Sequence, residues 1–407
     1  MRPFDGRRIL LVVSGGIAAY KSAYLLRRLG EAGAVVDVLM TRAAERFVGP
    51  VTYEALSGRP VHTDIWERPL AHVELGRDAE LAIVAPATAD LLAGMAHGRA
   101  DDLATATLLA AACPILACPA MNGRMWENPA TRENVRVLAE RGVRLLGPAF
   151  GPLAEGEIAL GRMEEPARIM AEAGRLLETG SAFAGRRVVV TAGSTRAPVD
   201  PVRYVGNRSS GRMGFALAES AWRRGAEVVC VHGPVTVEPP HGPRLVAVET
   251  SAGMGEALAR ELEGSDVLLM AAAVSDFVMA EPRSSKIRKE SEGGGELRLR
   301  MVRGPDLLGE TRELRARQGT FTLGFALEME NGPENALRKL KEKGMDLVAL
   351  NDAGRPDTGL EAETNRITLI DASGASEELP LLSKREVADL LLDRVEARLN
   401  ARPVTAG

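Results

Sequence analysis

RILLVVSGGIAAYKS, residues 8–22, decides how the rest of the chain is read. The run RILLVV lacks polar alternation, the pattern of a strand buried on both faces in a parallel sheet. A glycine turn follows and leads into a helix. On that helix Ala18, Ser22, Leu25, Leu26 and Leu29 recur at helical spacing, Gly33 supplies a stop, and VVDVLM (35–40) resumes as a strand. The whole is a βαβ unit. Within it, GGIAAYKS (15–22) departs from GxxxxGK[ST], because Tyr20 stands where the second glycine is required and blocks close backbone approach to a triphosphate. The loop can still bind one phosphate through helix N-terminal amides, or serve as a plain tight turn.

Outward from this unit the same alternation continues. The apolar runs LAIVAPA (81–87) and CPILACPAM (113–121) are separated by helical stretches at 104–112 and 130–141. That order predicts a doubly wound parallel α/β sheet, with ligand sites at the carboxyl ends of its strands. Residues 149–163, AFGPLAEGEIALGRM, are glycine-rich without a clear period and read as a mobile flap. A helix is expected over 165–178, then a small-residue linker, ETGSAFAGRR. Strand, loop and helix begin again at VVVTAGSTR (188–196) and continue through DVLLMAAAVSDF (266–277), LRLRMV (297–302), FTLGFALE (321–328), DLVALND and NRITLID. Ser383 and Glu386 have capping-box spacing for a final helix. The division expected is a first domain over 1–180, a linker over 181–185 and a second domain over 186–407.

Composition narrows the function. With 407 residues, 45% hydrophobic and 26% charged, the chain has the makeup of an ordinary globular protein of two or three domains. Aromatics are 4%, too few for repeated base-stacking platforms, and 51 basic against 55 acidic residues leave a net charge of -4. Neither nucleic acid nor an anionic membrane is therefore an expected partner. No apolar stretch approaches a membrane span and the opening residues lack a signal-peptide pattern, so a cytoplasmic location is expected. Cys113, Cys118 and Cys230 form no CxxC and have no nearby histidine, which favours buried thiols over a metal site or disulfide framework.

His72, in AHVELGRDAEL, precedes an apolar strand; taken alone it fits surface or core duty. PAMNGRMW (119–126) closes a strand and puts the Asn122 amide at the sheet's carboxyl edge, where it can donate to a carboxylate. In order, SGGIAAYK, HVELG, APATAD, ADDLATAT and PAMNGRMW resemble the homo-oligomeric flavin-containing cysteine decarboxylases, which are flavodoxin-like. TAGSTRAPVDPVRYVGNRSSGRMG (191–214), AAAVSDF, KIRK, GFALE and LND resemble the phosphopantothenate-cysteine ligases, a second, Rossmann-like α/β domain. Together the strings cover nearly the whole chain, which is similar to the bacterial bifunctional enzymes of coenzyme A biosynthesis.

For the first half, the resemblance implies FMN-dependent decarboxylation of phosphopantothenoylcysteine to phosphopantetheine. A simple alkyl carboxylate loses carbon dioxide poorly, so an electron sink must first be made; oxidation of the cysteinyl thiol to a thioaldehyde provides it. His72 is then the acid/base candidate and Asn122 the carboxylate clamp, with Ser14, Gly15, Gly16, Thr41, Thr88 and Thr105 as flavin contacts or ordinary turn and cap residues. One departure stands out. Many family members carry a cysteine in the flap that protonates the enethiolate, whereas here AEGEIALGRM (154–163) has Glu155. Glu155 is a substitute acid, if partly buried, or a solvated residue with the proton coming from water; the third alternative is that reduction fails and this half performs only oxidative decarboxylation.

For the second half, the resemblance implies CTP-dependent coupling of phosphopantothenate to cysteine through an acyl-cytidylate, with Mg2+ shielding the triphosphate. Asn207 matches the asparagine linked to that intermediate, and Lys286 the lysine of the activation step. Asp276, Pro305, Asp306, Leu307, Leu308, Phe325, Lys339 and Lys343 match nucleotide contacts; Lys339 and Lys343 share a helix face. Without the resemblance, Arg283, Lys286, Arg288 and Lys289 read as a solvated loop. No protein ligand to the metal is identified. A homo-oligomer is implied, with trimeric flavoprotein halves and dimeric ligase halves combining as a dodecamer. A pair of dehydrogenases is disfavoured, since neither glycine loop is GxGxxG, and a non-enzymatic flavin-binding regulator would need no ligase motifs.

Overall fold

A computed structural model of the chain describes residues 3–66, 68–288, 297–328, 331–352, 362 and 364–401. Lys289 and the glycine run at 293–295 lie outside these. The chain divides into two compact units, Met1–Thr179 and Gly180–Gly407.

The first unit opens with β1 (Arg8–Val13), α1 (Ala19–Glu31), β2 (Val35–Met40), α2 (Pro50–Ser57), β3 (Val61–His62), α3 (Ala71–Asp78) and β4 (Leu81–Ala87). It continues with α4 (Ala89–Ala96), α5 (Leu103–Ala110), β5 (Ile115–Pro119), α6 (Gly123–Glu127), α7 (Pro129–Glu140) and β6 (Arg144–Leu145). β7 (Ala149–Pro152), β8 (Ile158–Arg162) and α8 (Pro166–Leu177) complete it. The sheet runs β3-β2-β1-β4-β5-β6, all parallel. Setting aside the two-residue edge strand β3, this is the flavodoxin-like order, with the winding reversing between β1 and β4. The unbroken apolar runs are buried on both faces: Ile9, Leu11 and Val13 pack with Leu25, Leu26, Leu29 and Ile169, while Leu10 and Val12 pack with Leu75, Leu103 and Leu108.

Residues 149–163, expected as a flap without a clear period, hold two paired strands. β7 and β8 form an antiparallel hairpin with an irregularity between Ala149 and Phe150. Its tip is closed by Leu153 N–H to the Glu157 carbonyl (2.8 Å) and Gly156 N–H to the Leu153 carbonyl (3.0 Å).

The second unit begins with β9 (Arg187–Ala192), β10 (Arg196–Pro198), β11 (Tyr204–Gly206), α9 (Arg212–Arg223), β12 (Glu227–His232), β13 (Arg244–Ala247) and α10 (Ser251–Glu261). Next come β14 (Val267–Met270), β15 (Phe277–Met279), β16 (Met301–Arg303), α11 (Leu307–Glu310), α12 (Arg312–Gln318), β17 (Phe321–Glu328), α13 (Gly332–Lys343) and β18 (Leu347–Asp352). β19 (Thr364–Asn365), β20 (Ile367–Asp371), β21 (Ser376–Glu378), β22 (Leu382–Ser383) and α14 (Lys384–Ala401) follow. The main sheet is β13-β12-β9-β14-β17-β18-β20-β21. Its first six strands are parallel in the Rossmann order, and β20 and β21 extend it antiparallel.

α14 is held at both its start and its side. Ser383 and Glu386 form the reciprocal capping box, with Glu386 N–H to Ser383 Oγ at 3.3 Å and Ser383 N–H to the Glu386 carboxylate at 3.0 Å. Asp389 accepts from the buried Arg223 and Ser220, both at 2.5 Å, while Arg224 reaches Asp393 at 2.8 Å and Glu396 at 3.1 Å. Removing one member of such a buried set strands the charge of the other.

Candidate active sites

Each unit holds a cavity at the carboxyl edge of its parallel sheet. In the first, of about 820 Å³, the loop after β1 forms the floor. The Ser14 hydroxyl donates to the Pro86 carbonyl (2.7 Å) and accepts from Thr88 N–H (3.1 Å), so it bridges β1 to β4 across the point where the winding reverses. Gly15 is a requirement of packing: a Cβ there would lie 2.4 Å from the Ala43 Cβ. The β2 loop thus closes on the β1 loop with backbone facing the cavity. α1 has no side-chain cap at Ala18; its start is closed by backbone instead, with Ala19 N–H donating to the Gly16 carbonyl and Lys21 N–H to the Ala18 carbonyl, both at 3.0 Å.

Ser14, Gly15, Gly16, Thr41, Thr88, Thr105, Asn122 and Glu155 all line this cavity. Two hydroxyls are also engaged in caps: Thr88 accepts from Leu91 N–H (3.4 Å), and Thr105 forms a capping box with Asp102. Lys21 and Arg42 also line it and were missed as candidates. Arg42 directly follows Thr41, the only cue it offered. Lys21 is buried, donating to the Met163 carbonyl (3.0 Å) and to Glu165 (2.9 Å). That bond from Lys21 holds the Glu165 carboxyl below the ordinary range.

Asn122 caps α6, its Oδ1 accepting from Arg124 N–H at 2.9 Å, and its Nδ2 donates to the Glu155 carboxylate at the hairpin tip. Glu155 is exposed, so the burial that a substitute-acid role requires is missing in the chain by itself. His72, half-buried on α3, does not line the cavity; a single chain does not bring it to Asn122. Cys118 and Cys230 are buried, and burial pushes the Cys230 thiol up to about 12 and raises that of Cys118 as well. Cys113 is partly buried.

The second cavity, of about 1020 Å³, lies among the ends of β14 and β17, the start of α9 and α11, and one face of α13. Asn207, Asp276, Pro305, Asp306, Leu307, Leu308, Phe325, Lys339 and Lys343 line it. Asn207 Nδ2 donates to the Val274 carbonyl at 3.0 Å. Lys339 pairs with Glu328 at 2.6 Å and Lys343 with Asp306. Burial pulls the Asp306 carboxyl upward, but the bonds from Lys343 and Gly309 N–H outweigh it and hold the group below the ordinary range. Arg338, Asn351, Asn365 and Lys384 also line the cavity and were not anticipated. Asn351 sits in the LND string; the others carried no cue beyond helical spacing or a strand end.

Lys286 is exposed and outside this cavity, so the expected grouping of Lys286 with Asn207 is not made within one chain. Its segment is nevertheless anchored. Asp200, whose side chain is buried, accepts from Val202 N–H (2.8 Å), Arg203 N–H (2.8 Å), Ile287 N–H (3.1 Å) and the Arg203 guanidinium (2.7 Å). Burial would raise its carboxyl; the backbone donors and Arg203 bring it down to about 2.

Comparison with known proteins agrees with this two-part layout. Residues 2–177 match the family model "Flavoprotein", and residues 183–399 match "DNA/pantothenate metabolism flavoprotein C-terminal domain". The coenzyme A biosynthesis bifunctional protein CoaBC of Bacillus subtilis is 40% identical over 400 residues, 97% of each chain. That of Escherichia coli K12 is 40% identical over 401 residues, 98% of each chain, and that of Mycobacterium tuberculosis 42% over 404 residues, 96% of each. A crystal structure of the C-terminal domain of a CoaBC protein aligns with TM-score 0.46 and 34% identity, over 55% of this chain and 100% of that one. A PPC decarboxylase variant complexed with pantothenoylaminoethenethiol aligns with TM-score 0.38 and 31% identity, over 41% of this chain and 96% of that one.

Proposed function

The chain belongs to the family of bifunctional coenzyme A biosynthesis proteins, and on that premise we propose how its two units divide the work. The second unit couples phosphopantothenate to cysteine at the expense of CTP, through an acyl-cytidylate. The first decarboxylates the resulting phosphopantothenoylcysteine to phosphopantetheine. One observation carries this assignment: motif residues scattered over more than a hundred positions in each half converge on one cavity per unit.

The first cavity fits FMN. Its volume suits a ligand of that size, the loop carrying Ser14, Gly15 and Gly16 lines it, and Lys21 and Arg42 supply positive charge for the phosphate. Bound there, FMN would supply reversible two-electron redox chemistry for the cysteinyl thiol. Asn122 holds the substrate carboxylate through Nδ2, in an orientation set by its own helix cap. Thr41, Thr88 and Thr105 line the walls. With Glu155 exposed at the hairpin tip, the proton needed at this end of the cavity comes from water.

In the second cavity Lys339 and Lys343 take the nucleotide's phosphates, and each must leave an acidic partner, Glu328 or Asp306, to do so. The α11 start at Pro305–Leu308, with Asp276 and Phe325, frames the rest of the nucleotide, and Asn207 orients the acyl-cytidylate. Mg2+ would arrive with the triphosphate and would shield its charge without a dedicated protein cage. Among the described residues no three His, Cys, Asp or Glu side chains are grouped to hold a metal.

His72 and Lys286 are the two motif residues that a single chain leaves outside its cavities. A homo-oligomer, trimeric through the flavoprotein unit and dimeric through the ligase unit and so a dodecamer, accounts for both by bringing them from a neighbouring copy. A cytoplasmic location follows from the substrates; among the described residues no helix is long and apolar enough to cross a membrane. The test is product analysis after incubation with phosphopantothenate, cysteine and CTP. Finished phosphopantetheine is expected, and accumulation of an aminoenethiol would assign the proton to a group the chain lacks.

A further inference from the structure

Asn122 is built to meet an anion. Its Oδ1 is committed to the Arg124 N–H at 2.9 Å as the cap of α6. Flipping the amide would break that cap and turn oxygen lone pairs toward the cavity, so Nδ2 is the atom presented. In the chain as folded, the anion it meets is the carboxylate of Glu155.

The backbone makes this meeting reproducible. Met121 N–H donates to the Gly161 carbonyl at 2.9 Å, docking β8 along the residues that lead into α6. The approach is too close for side chains: a Cβ on Gly161 would lie 2.2 Å from the Met121 carbonyl oxygen, and one on Gly123 would lie 3.0 Å from the Ala159 Cβ. With β8 so fixed and the 153–157 tip closed by its two backbone bonds, Glu155 emerges beside Asn122 at the cavity wall.

We propose that Glu155 is an internal stand-in for the substrate carboxylate: it occupies Asn122 Nδ2 when the cavity holds no substrate, and an incoming carboxylate must displace it. This rests on the assignment of Asn122 as the carboxylate clamp. Glu155 thereby sets how strongly a carboxylate on the ligand is rewarded. A ligand without a carboxylate leaves the Asn122–Glu155 bond in place.

Two analogues that lack the thiol, and so cannot be oxidised, test this. One is phosphopantothenoyl-alanine; the other is the corresponding phosphopantothenoyl-ethylamine, without the carboxylate. Their affinities for the flavin-loaded full chain are read from the perturbed visible absorbance of the flavin, which reports this cavity alone. The measured quantity is the preference for the carboxylate analogue. Glu155→Ala is expected to increase that preference roughly three- to tenfold, because a charge-assisted hydrogen bond no longer has to be broken. Glu155→Gln, which keeps a neutral acceptor and the hairpin tip's bulk, should fall between, and in an Asn122→Ala background the Glu155 effect should vanish. If Asn122→Ala lowers the preference while Glu155→Ala and Glu155→Gln leave it unchanged, the stand-in is overturned and the clamp stands. If Asn122→Ala leaves the preference of the native chain unchanged, the clamp assignment itself fails and the stand-in with it.

Discussion

The two cavities lie at equivalent places, at the carboxyl edge of a doubly wound sheet, and both carry paired cations, yet Lys21 of the first is buried whereas Lys339 and Lys343 of the second are partly exposed. The floor of the first is backbone and small side chains drawn close, with Gly15 packed on Ala43 and hydroxyls spent on bridges and caps. The mouth of the second is lined by long cations already paired with acids, Lys339 with Glu328 and Lys343 with Asp306. Under the proposed assignment of flavin to the first cavity and nucleotide to the second, the difference matches residence time. A cofactor that stays is held by shape and fixed amides, whereas a co-substrate that arrives and leaves is handled by charges that exchange one anionic partner for another.

The largest effect that would sharpen this contrast comes from Lys286→Gln. Acyl-cytidylate formation should fall about a hundredfold or more, measured by pyrophosphate release, while decarboxylation of supplied phosphopantothenoylcysteine continues. Loss of both activities together would break the division between the units. Next is Gly15→Ala, which places a methyl where Ala43 already sits. We expect a loss of about 1–3 kcal/mol in stability of the first unit and a sharp drop in flavin per chain, read by visible absorbance and thermal unfolding.

A smaller change is expected for Lys343→Ala. The KM for CTP should rise about tenfold and become less sensitive to salt, with flavin content untouched. If flavin content fell instead, the assignment of charge handling to the second cavity would be wrong. The smallest is Asp200→Asn. The Asp200 carboxyl lies at about 2 in the folded chain, below its ordinary value of about 3.9, so its stabilising effect is complete above that ordinary value. It is lost as pH falls from about 4 toward about 2. The variant should flatten the acid unfolding limb of the second unit over that window and lower ligation several-fold at neutral pH, through the loosened Ile287 N–H beside Lys286.

How much of this was legible in the sequence depended on the signal each segment carries. RILLVV and LAIVAPA announce buried parallel strands because both faces must be apolar, and α1 shows its periodicity in Leu25, Leu26 and Leu29. The hairpin of β7 and β8 was hidden, since Phe150 and Ile158 are exposed and Gly151, Gly156 and Gly161 interrupt any alternation. Of LRLRMV, strand pairing is found at Met301 and beyond, where β15 supplies a partner. At the sites, short strings at strand ends were informative because the fold sends strand ends to one edge. His72 and Lys286 were legible as motif residues, yet neither lines its unit's cavity in the single chain, and no local signal in the sequence could have shown that. Lys384, Asn351 and Asn365 come together only through pairing of β19 with β22 and of β18 with β20, contacts that no local period encodes.

The central claim is that one polypeptide both ligates and decarboxylates. The purified chain, given phosphopantothenate, cysteine, CTP and Mg2+, should release pyrophosphate and carbon dioxide in equal amounts as phosphopantetheine appears. Pyrophosphate without carbon dioxide, or neither, would contradict it.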